Sequence, residues 1–238
     1  MLSKLKAVSI VSGGMDSAVL AHDLARHYEQ TFLSFNYGQR HKKELKYAKA
    51  MADCLGCSHQ IIDLTSLNRF LTTSSLTAGV EVPDGHYNED SMRLTVVPNR
   101  NPIMLAIAFS VASSMGAAIV ATGVHAGDRY NYPDCRTEFA AAFQEMEVKA
   151  LEGFNTPSLY TPYIGITKAD IAKLGSKLDV KFEETWSCYK GGDKHCGRCG
   201  TCVERLEAIH EAGVQDNTEY SDPEYWKQAV KEYAERKK

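Results

Sequence analysis

Ser12-Gly13-Gly14-Met15-Asp16-Ser17 stands between the apolar run Ala7-Val8-Ser9-Ile10-Val11 and the helix-like run Ala18-Val19-Leu20. The order is strand, glycine turn, helix. Paired glycines let a backbone turn sharply and come close to a ligand, and the free N–H groups opening a helix attract an anion such as pyrophosphate. The pattern differs from Gly-x-x-x-x-Gly-Lys-Ser/Thr and from the Gly-x-Gly-x-x-Gly of dinucleotide folds, and neither follows a strand elsewhere in the chain. Ser12 and Ser17 supply hydroxyls for phosphate oxygens. Asp16 repels phosphate unless a divalent cation lies between them, which implies Mg²⁺. The plainer alternative is a strand-to-helix turn with Asp16 as the helix cap.

A second cluster able to do chemistry is Cys188, Cys196, Cys199 and Cys202, spaced C-x7-C-x2-C-x2-C. Thiolates at C-x2-C spacing turn back on one metal, and four of them match a closed tetrahedral zinc site with no open position for water. Such a site is structural. An iron–sulfur cluster is the rival occupant, and incidental buried cysteines the plainest reading. Cys54 and Cys57 end a helix-like segment and read as packing residues, because reactive C-x2-C pairs begin helices. Cys135, in Tyr132-Pro133-Asp134-Cys135-Arg136, is either a nucleophile or a packing residue.

These residues need a frame. Short apolar runs at 8–11, 31–35, 58–62 and 118–122 alternate with helix-like segments at 17–28, 42–54 and 103–115. The alternation predicts an α/β fold, a parallel twisted sheet with helices on both faces. Ligands of such sheets sit beyond the carboxyl ends of the strands. Those ends carry Ser12-Gly13-Gly14, Asn36-Tyr37-Gly38-Gln39 and Thr122-Gly123-Val124-His125. Residues 72–98 have few apolar repeats and read as a lid or disordered segment. Short helices are expected at 168–174 and, amphipathic, at 223–236. The expected division is 1–185 for the α/β domain, 186–212 for the cysteine segment with its following helix, and 213–238 for a tail helix, with no second core or internal repeat.

A chain of 238 residues can bury its own core. Its 27 basic against 30 acidic residues give no field that recruits nucleic acid. The longest apolar stretch, 102–111, is too short to cross a bilayer, and no signal-peptide layout is present, so a cytoplasmic protein is expected. In that reducing compartment the seven cysteines are metal ligands or buried residues before they are disulfides.

Together, the loop at 12–17, Asn36-Tyr37-Gly38-Gln39-Arg40-His41, Val97-Pro98-Asn99-Arg100-Asn101, Tyr132-Pro133-Asp134-Cys135-Arg136 and the cysteine cluster resemble the 7-cyano-7-deazaguanine synthase family, within the PP-loop ATP pyrophosphatases. The resemblance implies an adenine nucleotide alpha hydrolase-like fold, a bound zinc and a homodimer. It also implies conversion of 7-carboxy-7-deazaguanine, ammonia and ATP to the nitrile used in queuosine and archaeosine synthesis. Under it, Ser12, Gly13, Gly14, Asp16 and Ser17 hold pyrophosphate, with Val11, Met15, Tyr37, Gly38 and Gln39 also at the nucleotide. Arg100 and Arg136 pair with the substrate carboxylate or the phosphates and join Ser12, Asp16 and Ser17 as the catalytic set. Asp128 and Asp134 hold Mg²⁺ or read the ring amino group, and Asn99 and Asn101 do the same or cap the following helix, where Pro102 fits the first position. Tyr132 lies at the substrate, Tyr37 stacks on a purine-like ring or packs in the core, and Lys168 neutralises phosphate or stays solvated.

One segment departs from the family. Gly123-Val124-His125-Ala126-Gly127-Asp128-Arg129-Tyr130-Asn131 keeps the aspartate but lacks the usual early asparagine and the serine-glycine pair, which leaves His125 and Arg129 unexpected near the pocket. Subfamily drift is one reading. Another is an enzyme of an antiviral system that joins the activated acid to a protein amine. A tRNA thiolase and a nucleotide sensor without turnover are further alternatives, the first disfavoured by the acidic balance.

Overall fold

The computed structural model describes residues 4–87 and 90–237. Five parallel strands, β1 (Leu5–Ile10), β2 (Tyr28–Asn36), β3 (Ser58–Asp63), β4 (Ile119–Ala121) and β5 (Ser158–Tyr160), form one sheet in the order β3-β2-β1-β4-β5. Ala7 of β1 pairs with Gln30 on one side and Ile119 on the other. The chain therefore builds outward from β1 in one direction, then returns to build in the other. Strand order reverses at β1, and the crevice beyond its carboxyl end is where such sheets bind ligands.

Among the described residues seven α-helices accompany the strands: α1 (Met15–Ala25), α2 (Glu44–Leu55), α3 (Arg100–Met115), α4 (Thr137–Ala150), α5 (Lys168–Lys177), α6 (Gly200–Ala212) and α7 (Tyr225–Arg236). Successive side chains of a strand point to opposite faces, so Ala7 and Phe32 enter one core while Val8 and Leu33 enter the other. The first core adds Leu20, Ile171 and Phe182; the second adds Phe109, Val120 and Trp186 together with Cys188, Cys199 and Cys202.

The expected α/β sheet is present with altered boundaries. α1 opens at Met15 and stops at Ala25, before the expected 28, because Tyr28 already begins β2. α4 and β5 were not expected: α4 buries only Phe143 and Glu147, and β5 is three residues long with exposed ends. The described part of 72–98 is packed cover and not a free lid. Leu76, Val82, Tyr87, Met92 and Val97 are buried, and Leu76 O accepts from Arg40 N at 3.0 Å. Asp84 adds ion pairs to Lys190 at 2.6 Å and Arg198 at 3.1 Å. The fully buried Arg205 of α6 binds Phe182 O, Thr185, Asp216 and Thr218, which pins the chain beyond α6 to the body. Among the described residues no helix is long and apolar enough to cross a membrane.

Candidate active site

The 12–17 loop lies at the strand-order reversal. Gly13 has φ 95°, and a Cβ there would stand 2.2 Å from the Glu44 carbonyl oxygen, so the loop touches α2 only because residue 13 has no side chain. The glycine serves this packing as well as the turn. Ser12 Oγ accepts from Gly14 N at 3.2 Å, and Ser17 Oγ accepts from Gly13 N at 3.3 Å while donating to Gly14 O at 3.0 Å. Both serines thus shape the loop. The first regular helical bond of α1 is Ala18 N to Gly14 O, which leaves the N–H groups of residues 15–17 without a helical partner as first-turn donors. The Met15 side chain is fully buried in the core and takes no part in the cavity lining.

Asp16 does not cap the helix; Gly14 holds the cap position without a side-chain bond. Asp16 Oδ2 instead pairs with Lys168 Nζ at 3.1 Å, and Lys168 pairs with Glu204 at 2.6 Å. Lys168 is buried rather than solvated. His125 Nε2 lies 3.5 Å from Asp128, 3.8 Å from Glu204 and 4.0 Å from Asp16, and its Nδ1 accepts from Gly127 N. Asp128 also accepts from Tyr87 OH at 3.0 Å. Burial alone would lower the Lys168 amine, but Asp16 and Glu204 raise it well above its usual range. Burial likewise opposes ionisation of Asp16, yet Lys168 and then His125 hold it below the usual carboxylate range, while burial lifts Glu204. Asp16 Oδ1 is buried with no hydrogen-bond partner, which fits a carboxylate that takes a cation when loaded.

Opposite stands an aromatic wall around Arg100. Its Nη1 donates to Tyr37 OH at 3.2 Å, and the rings of Tyr37 and Tyr132 lie 5.7 and 5.9 Å from the guanidinium carbon. Among the described residues no carboxylate pairs with Arg100, although Glu44 is near enough to feel its charge. A partly buried guanidinium without an acid is poised for an anionic ligand. Tyr37, Arg100, Asn101, Asp128 and Tyr132 line the same cavity of about 220 Å³ as Val11, Ser12, Gly14, Asp16 and Ser17.

Other expected residues lie elsewhere. Asn99 is exposed at the head of α3 with φ 61° and lines no part of the cavity, so its substrate role is not supported by its position. Asn99 instead holds the cap position of α3 without a side-chain bond, while Asn101 lies inside the first turn and donates to Cys135 Sγ at 3.3 Å. Gly38 and Gln39 stand behind the wall, where the Gln39 side chain binds Tyr37 N, Phe35 O and Glu44 Oε1. Asp134 and Arg136 border a smaller adjoining pocket; Arg136 is exposed and donates from Nε to Arg129 O. Arg129 is exposed and outside the cavity. Cys135 is buried, and burial together with the Asp128 and Asp134 charges pushes its thiol far up, which removes it as a nucleophile near neutral pH. Residues the sequence reading missed are His41, Glu44, Tyr87 and Tyr189, all lining the cavity, and Glu204. His41 ends a quoted motif in which no role was given to it and Tyr189 adjoins Cys188, whereas nothing local marks Glu204.

The four cysteines meet. Their sulfur atoms all lie within 4.8 Å of one another. Cys196 and Cys202 are 3.9 Å apart, close to the tetrahedral edge of about 3.8 Å that Zn–S bonds of about 2.3 Å require. Backbone N–H groups of Arg198 and Cys199 point to Cys196 Sγ at 3.3 Å each, as they do to a thiolate. The donor set fits one metal ion.

Comparison with known proteins agrees with this arrangement. Residues 6–213 match the family described as queuosine biosynthesis protein QueC. A 7-cyano-7-deazaguanine synthase of Sinorhizobium fredii (strain NBRC 101917 / NGR234) is 58% identical over 230 residues, covering 96% of this chain and 98% of that protein. That of Paracoccus denitrificans (strain Pd 1222) is 54% identical over 229 residues, with the same coverage of 96% and 98%. Among solved structures, the U34-tRNA thiolase NcsA from Methanococcus maripaludis with its 4Fe-4S cluster aligns at a TM-score of 0.50 and 16% identity, covering 98% of this chain and 73% of that one. At that identity the likeness is one of fold.

Proposed function

The chain belongs to the QueC family of queuosine biosynthesis proteins, and from that premise we propose that it converts 7-carboxy-7-deazaguanine, ammonia and ATP to 7-cyano-7-deazaguanine. The observation that carries the reading is Arg100, a guanidinium without a carboxylate partner among the described residues, lining the same cavity as the pyrophosphate-type loop. A carboxylate is a poor electrophile. Its oxygen must first attack the α-phosphate of ATP, which releases pyrophosphate and leaves an acyl-adenylate. Arg100 orients the acid by a two-pronged contact, and the 15–17 N–H groups take the charge that builds on pyrophosphate. Lys168, ion-paired on both sides, can shift toward the phosphates without having to be charged first. Ammonia then gives the amide, and a second activation of the amide oxygen precedes loss of AMP to the nitrile.

Asp16, through its unpartnered Oδ1, and Asp128 are the carboxylates that would hold Mg²⁺, which when bound offsets charge on the phosphates. For the cysteines we favour zinc over a four-iron cluster, which stands between its thiolates and spreads them wider than a single ion does. The name shared by the relatives favours the synthase over the conjugating, thiolase and sensor alternatives. A homodimer is part of the reading. Met146, Val148 and Phe154, exposed on and just after α4, are apolar surface that self-association would cover, and sedimentation velocity tests it. Free thiols and ATP dependence suit the cytoplasm.

Acid labelled with ¹⁸O in its carboxylate tests the first activation. One label is expected in AMP; unlabelled AMP, or ADP in its place, would overturn it.

A further inference from the structure

We propose that Glu44, held by Gln39 and His41, accepts the proton that the amine nitrogen loses as it bonds to the acyl carbon. This rests on the synthase reading and adds a catalytic residue to it. Glu44 stands in the first turn of α2 and lines the cavity shared by Ser12, Asp16 and Arg100. Its side chain is only 12% exposed, yet no lysine or arginine pairs with it among the described residues. Oε1 accepts from Gln39 Nε2 at 3.0 Å and lies 3.5 Å from His41 Nε2; the other oxygen has no protein partner among the described residues. His41 lines the same cavity, lies tilted by 36° against the Tyr189 ring with centroids 5.1 Å apart, and leaves a buried Nδ1 without a partner among the described residues. A buried polar atom without a partner, as His41 Nδ1 is among the described residues, is costly at a cavity wall unless a ligand completes it.

The charges fit the task. The groups facing Glu44 are Gln39, His41, Tyr37 and, at longer range, Arg100. Burial raises the Glu44 carboxyl to about 8 against the pull of Gln39 and Arg100, and burial with the Arg100 charge lowers His41 to about 3. A neutral imidazole and a carboxyl that exchanges its proton near neutral pH result, the range in which general bases work best. As ammonia bonds to the acyl carbon through its lone pair, the C–O bond to AMP breaks and its electrons leave with AMP. One N–H proton passes to the Glu44 carboxylate, which later returns it to water. Otherwise the nitrogen stays positive near Arg100, which repels it.

The test compares ammonium with hydroxylamine, whose lower basicity lets its adduct shed a proton unaided, as acceptors of the activated acid. Glu44→Gln keeps an oxygen for Gln39 and should lower the ratio of amide to hydroxamate formation by roughly 100-fold. An unchanged ratio, with both products falling together, would overturn the proposal and leave Glu44 a structural residue. If Glu44→Gln does not fold, Glu44→Asp is compared in the same way, and an unchanged ratio again counts against it. Absence of adenylate, amide and hydroxamate from the wild-type protein would instead bring down the synthase reading, and this inference with it.

Discussion

At the scale of single residues, unpaired charge is what makes the site. Arg100 stands among tyrosines with no carboxylate beside it among the described residues, and Arg100→Lys keeps the charge while losing the planar fork. The expected outcome is a kcat/KM for the acid about 10- to 100-fold lower, with ATP affinity little changed. Lys168 shows the opposite case, a buried amine between Asp16 and Glu204. Lys168→Met should cost about 3–5 kcal/mol in urea unfolding, because it strands two carboxylates, and adding Glu204→Gln should recover part of that. Glu44 and His41 set opposite pH limbs. The folded protein holds the Glu44 proton up to about 8 whereas the unfolded chain releases it in the ordinary carboxylate range, so this stability is full at low pH and is lost as pH rises through about 8. Glu44→Gln should therefore raise Tm relative to wild type at pH 9 and leave it nearly unchanged at pH 5. His41 stays neutral when folded down to about 3, so its contribution is full above the ordinary histidine range and falls as pH drops through that range. His41→Gln should flatten the acid limb of Tm against pH.

At the scale of elements, the site depends on how close helices come to the loop after β1. Gly13→Ala would set a methyl 2.2 Å from the Glu44 carbonyl in a left-handed conformation. ATP binding, read by calorimetry, is expected to be lost before the fold, since one turn and the start of α2 must move apart. The strands at 8–11, 31–35 and 118–122 were legible because short apolar runs bounded by glycine and polar residues are what a buried parallel strand requires, whereas 58–62 became the edge strand β3, none of whose residues is buried. β5 was not, because three residues, two of them exposed, carry no period. The 72–98 segment was misread for a related reason: Leu76, Val82 and Val97 join one core, Tyr87 packs against Tyr132 and Cys135, and the buried positions have no regular spacing.

At the scale of the whole molecule, the cysteine segment and the catalytic crevice are one body. Trp186 N donates to Gly13 O at 2.8 Å, Cys188 precedes the cavity residue Tyr189, and Glu204 follows Cys202 on α6. Metal removal by a strong chelator should therefore abolish ATP binding as well as lower Tm, although none of Cys188, Cys196, Cys199 and Cys202 lines the cavity. The loop and the cysteine spacing were readable in one dimension because each is local. The Asp16, Lys168 and Glu204 cluster was not: its members come from α1, α5 and α6 and meet only when those helices pack. The same distance in sequence hid Tyr87 beside Asp128. The most direct test of the central claim is mass spectrometry of the purified protein with Mg-ATP, 7-carboxy-7-deazaguanine and ammonium, following nucleotide and deazaguanine together. The account predicts 7-cyano-7-deazaguanine with two AMP for each nitrile; unchanged acid, or product that forms only after a protein amine is added, would contradict it.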